Sequence, residues 1–63
     1  NNLTKMKVGD RVLISPDITG ADEWQDAIVT EVEDNPFNGV VITAKTILSG
    51  ILYFNRQSYF KLA

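Results

Sequence analysis

The sequence predicts a small all-β domain, a sandwich or barrel of five short strands, on three observations. Short runs rich in β-branched and aromatic residues recur between clusters of turn residues. No window sustains the i, i+3, i+4, i+7 apolar spacing of a helix that buries one face. The chain has only 63 residues, enough for one domain that buries roughly 60% of the surface its unfolded form exposes.

Each element follows from its residues. Asp10–Ser15 (DRVLIS) alternates, placing Val12 and Ile14 on one face and Arg11 and Leu13 on the other. Pro16 ends this strand, and PDITGADEWQD reads as a long first loop bending at Gly20. The second strand is AIVTEVED. Its apolar set, Ala27, Val29 and then Val32, changes parity midway, which predicts a bulge near Thr30 and Glu31. NPFNG is a turn, with Pro36 fixing φ and Asn38-Gly39 tolerating positive φ. VVITAKT is the third strand, LSG a tight turn, and ILYFN the fourth strand, with Leu52 and Phe54 expected on the inward face. RQSY has room for one helical turn before the last strand, YFKLA, in which Phe60 and Leu62 are in register. Residues 1–6 read as an N-terminal arm and residues 7–63 as a single domain.

Composition narrows the chemistry. There is no cysteine and no histidine, so neither disulfides nor the commonest zinc ligand is available. Stability must come from an apolar core, an oligomer interface or a bound partner. No apolar run approaches the ~18–20 residues of a membrane helix, and the N-terminal stretch lacks the apolar region of a secretory signal. A soluble cytoplasmic protein is the expectation, with no membrane partner. The net charge is −2, but its distribution is more informative. Asp17, Asp22, Glu23, Asp26, Glu31, Glu33 and Asp34 form a block free of lysine and arginine. The six basic residues, Lys5, Lys7, Arg11, Lys45, Arg56 and Lys61, lie outside it. Such a block opposes phosphate contacts, which supply most nonspecific affinity for nucleic acid.

Five short strands, a long first loop, two tight hairpins and a helical turn before the last strand resemble the SH3-like small β-barrel. KVGDRVLI is similar to the V-G-D-x-V opening of KOW and Tudor-like barrels, found in bacterial and phage proteins. The resemblance runs from Lys7 to Leu62 and is topological, without singling out one family. It implies a ligand face built by the first loop, the second-to-third hairpin and the helical turn, here Trp24, Phe37, Tyr53 and Tyr59. The A-L-Y-D-Y run of proline-peptide-binding SH3 domains has no counterpart. GDRV followed by WQ is similar to the plasmid-borne type II dihydrofolate reductases. Where their V-Q-I-Y segment stands, this chain has Leu52-Tyr53-Phe54-Asn55, so the similarity implies shared architecture and not shared catalysis.

The inventory offers little for catalysis: no imidazole or thiol is present to generate a nucleophile, and Asp22, Glu23 and Asp26 lie in a polar loop unsuited to raising a carboxyl pKa. DITGADE lacks the order of acids in an EF-hand. No enzyme activity, cofactor or metal is expected. Trp24 has two readings, a structural lid over an open barrel end or a partner contact. If Val12, Ile14, Val29, Ile42, Ala44, Leu52, Phe54, Phe60 and Leu62 point inward, alternation sends Leu13, Val41, Ile51, Tyr53 and Tyr59 outward. Several outward apolar residues on adjacent strands make a patch of the kind that marks an interface. The expected role is a protein-interaction module, self-associating or binding a basic protein. Trp24, Tyr53, Tyr59 and Phe37 would make the contact, with Asp22, Glu23 and Asp26 on the rim. The alternative is a nucleic-acid-binding barrel in which the basic residues meet phosphates and Tyr53 and Phe37 stack on bases.

Overall fold

In the computed structural model, which describes residues 5–63, strand β1 (Arg11–Ile14) is followed by one helical turn, α1 (Pro16–Thr19). Then come β2 (Gln25–Asn35), β3 (Gly39–Thr46), β4 (Leu52–Arg56), a 3-10 turn (Gln57–Tyr59) and β5 (Phe60–Leu62). All ladders are antiparallel, and the strand order is β4-β3-β2-β1-β5. The all-β class, the five strands and the helical turn before the last one are as the sequence predicts. The sheet is open: β4 and β5 are its two edges, which is compatible with a small barrel-like fold. Among the described residues no helix is long and apolar enough to cross a membrane.

Inward-facing side chains from every strand but β4 seal the core: Val12, Ile14, Ala27, Val29, Ile42, Ala44 and Phe60 are buried, joined by Met6. Ile18, Val40 and Tyr53 pack against this cluster from its margin. The expected arm, residues 1–6, falls largely outside the described residues. Of its last two, Lys5 is exposed and Met6 is part of the core.

The bulge in β2 is where the apolar parity places it. Val29 pairs with Ala44 and Glu31 with Thr43, so Thr30 is the extra residue, and its hydroxyl donates to the Thr43 carbonyl at 3.4 Å. Beyond the bulge, inward parity passes to Val32, opposite Ile42. At the hairpin tip the Asn35 Oδ1 accepts from the backbone N–H groups of Phe37 (2.8 Å) and Asn38 (3.0 Å). Gly39 takes φ 80° there, a conformation cheap only for glycine.

The first loop holds a helical turn that the sequence reading treats as irregular. Ser15 caps it, its Oγ accepting from the Asp17 N–H at 3.0 Å, and Pro16 stands in the first turn, where a missing N–H costs nothing. Gly20 closes it in the left-handed region, at φ 76°, donating its N–H to the Pro16 carbonyl at 2.8 Å. All three signals, Ser15, Pro16 and Gly20, are in the chain. The turn is too short to show apolar periodicity, so pattern alone passes over it.

Strand β4 corrects the expected faces. Leu52 and Phe54 are not inward: they are 57% and 70% exposed, while Tyr53 turns in opposite the buried Ala44. The β3–β4 turn fixes that register. The Thr46 N–H donates to the Ile51 carbonyl at 2.9 Å, and the Ile51 N–H donates back to the Thr46 Oγ1 at 2.9 Å. Pairing Thr46 with Ile51 forces Lys45 opposite Leu52 and Ala44 opposite Tyr53. Ala44 is small, which leaves room for the tyrosine ring. Leu62 has the expected parity, opposite Val12, but edge strand β5 leaves it 45% exposed.

Ile42→Ala should cost about 2–5 kcal/mol, a large share of the stability of a chain this size. Leu52→Ala, on the solvent side, should cost within about 0.5 kcal/mol. Urea denaturation midpoints of the two variants measure the difference, and equal losses would return Leu52 to the core.

Candidate functional site

The outward face is read from the ladder, because residues opposite one another share a face. One row across the sheet runs Arg11, Ile28, Lys45, Leu52. The next runs Glu31, Thr43, Phe54, and the third Glu33, Val41, Arg56. Ile28, Leu52 and Phe54 are exposed, and Val41 and Thr43 are half-buried between their neighbours. This makes an apolar surface spanning β2 to β4, with glutamates on its β2 side and arginine on its β4 side. A shallow recess of about 380 Å³ opens at its hairpin end, lined by Glu33, Asn35, Asn38, Val41, Phe54, Asn55 and Arg56.

The β3–β4 turn holds one side of this face in place. Thr46 is buried, and its hydroxyl both accepts from the Ile51 N–H and shares a 2.5 Å hydrogen bond with the Ser49 hydroxyl. The loop it organises carries further apolar side chains into solvent: Ile47, Leu48 and Ile51 are all exposed.

The residues singled out from sequence are dispersed. Trp24 is exposed just ahead of β2, outside the core cluster, and the Lys61 ammonium lies 4.2 Å from its ring centroid. One face of its ring is occupied by a cation from β5. Asp26 faces outward opposite Leu13 and pairs with Arg11 at 3.6 Å, both side chains more than half exposed. Such a surface pair contributes little to stability. Asp22 and Glu23 are exposed in the loop before β2, where the Glu23 carbonyl accepts from Gln25 Nε2 at 3.0 Å. Phe37 stands at the tip of the β2–β3 hairpin, 93% exposed. Tyr53 faces the core, which corrects its outward assignment, and Tyr59 ends the 3-10 turn, its carbonyl accepting from the Ser15 N–H at 3.0 Å. Trp24 and Asp26 stand toward the β1 and β5 side of the sheet, Phe37 at the far hairpin tip and Tyr53 on the opposite face.

Sequence reasoning did not single out Leu52, Phe54, Ile28, Glu33 and Arg56 as a surface. The signal that could have found them is the hydroxyl-closed Thr46–Ile51 turn, which sets the parity of β4 against its apolar pattern. Among the described residues no group of three or more side chains could hold a metal ion. Compared with protein-family models, with curated proteins and with solved structures, the chain matches none.

Thr46→Val removes the hydroxyl and leaves the Ile51 N–H without its side-chain acceptor. The expected loss is about 1–3 kcal/mol, with faster hydrogen exchange at the Ile51 amide than at core amides of β2. Unchanged exchange at Ile51 would show that the hydroxyl does not fix the turn.

Proposed function

We propose that this chain is a non-catalytic protein-interaction module of the small SH3-like barrel kind, binding a protein surface through the outward face of β2, β3 and β4. One observation carries the reading: β4 presents Leu52 and Phe54 to solvent at successive outward positions, beside Val41 and Ile28, on a regular ladder. An apolar surface held on strands is already ordered, so a partner meets it with little entropy left to lose. Aromatic side chains serve as anchors in such contacts. The charged residues around it, Glu31, Glu33 and Arg56, act at the rim, where they tune association rate and salt dependence.

The nucleic-acid alternative draws less support. Arg11 is engaged by Asp26 and Lys61 by the Trp24 ring. On the outward face, Lys45 and Arg56 share the surface with Glu31 and Glu33, whose charge opposes phosphate.

Replacing Phe54 with the photo-crosslinking residue benzoylphenylalanine in cells tests this role. Irradiation should give discrete protein adducts, reduced several-fold when Leu52→Asp is added, and absent when the same probe replaces the exposed Asp17 on α1. No adduct from the Phe54 site would overturn the reading.

A further inference from the structure

The outward face carries its charges in a pattern that is complementary to itself. In the row Glu33, Val41, Arg56, the two charged residues flank β3 from opposite sides, about 10 Å apart at the backbone across two strand spacings. They do not pair with each other: among the described residues the one salt bridge is Arg11 with Asp26. A two-fold axis lying along β3 in the plane of contact exchanges the β2 side of one face with the β4 side of the other. It therefore sets Arg56 of one copy over Glu33 of the second, and Glu33 over Arg56. In the same operation Leu52 meets Ile28 of the second copy, and Val41 meets its own equivalent. Phe54 falls over the stem of Glu31. An axis running across the strands instead would stack Glu31 on Glu31 and leave Arg56 over Leu52, so the complementarity selects the first orientation.

We propose that the occupant of this face is a second copy of the chain, packed sheet against sheet about a two-fold axis along β3. The Glu33–Arg56 contact is made twice and the Ile28–Leu52 contact twice. The inference rests on the interaction reading above and names its partner. A wholly basic partner fits less well, because Arg56 and Lys45 stand on the same surface. The area sets the strength. A standard interface takes about 800 Å² per partner, close to a fifth of the 4321 Å² of accessible surface the chain exposes. The three rows of this face offer less, so the dimer is weak and dissociates on dilution. Lys45 lies on the axis and meets its own equivalent, a repulsion that also holds the affinity down.

Sedimentation velocity of the full chain, from low micromolar to about 1 mM, is the test. The sedimentation coefficient should rise with loading concentration. Glu33→Arg or Arg56→Glu, each of which creates two like-charge contacts, should weaken dimerisation by at least about tenfold. The double reversal should restore it, and Lys45→Gln should tighten it. Circular dichroism spectra and urea midpoints confirm that the variants remain folded. A chain that stays monomeric throughout overturns self-association, while the broader interaction reading still stands or falls on the Phe54 adducts. Dimerisation indifferent to both reversals overturns the proposed geometry.

Discussion

The fold depends on a small sealed core. Val12, Ile14, Val29 and Ile42 are its largest fully buried side chains, contributed by three adjacent strands. With no disulfide to constrain the chain, burial of these aliphatic groups is the main term opposing chain entropy. Everything else is arranged around keeping that row continuous. Phe60 closes it from β5, and Met6 covers it from the segment before β1. The V-G-D stretch is docked by the Gly9 N–H donating to the Val29 carbonyl at 2.8 Å, and the Val29 N–H donating to the Asp10 carbonyl at 3.0 Å.

A core this small cannot take in every apolar side chain. Nearly half of the residues are hydrophobic, and the surplus has to go outside. Which residues are left out is decided locally, at the β3–β4 turn. The reciprocal hydrogen bonds between Thr46 and Ile51 fix one register, and a slip by one residue would exchange the two faces of β4. Backbone and hydroxyl satisfaction in the turn, together with the space beside Ala44, outweighs the burial that Leu52 and Phe54 would gain. The exposed apolar surface is thus a consequence of turn chemistry.

The charges divide along the same lines. The acidic block is one run in sequence, but the sheet splits it. Asp26 is paired with Arg11, Asp22 and Glu23 stay in the loop, and Glu31 and Glu33 stand beside the apolar face. Across β3 from Glu33 is Arg56, far away along the chain and a near neighbour on the sheet. The charge pattern of the outward face is a property of rows across strands, not of runs along them.

Local chemistry was enough to determine the strands, the bulge and where both hairpins turn. Alternation gave the inward faces of β1 and β3, the parity change at Val29 to Val32 marked the bulge, and Pro36 with Asn38-Gly39 marked the hairpin tip. Those features depend on neighbours within a few residues, which is why they are legible one residue at a time. The face of β4 and the inward turn of Tyr53 depend on which hydrogen bonds the turn between Thr46 and Ile51 closes, and the cation over Trp24 depends on a contact between distant segments. Only the tertiary structure decided them, because register is fixed by which hydrogen bonds the turn closes. The hydrophobicity of the strand does not choose between its own two sides.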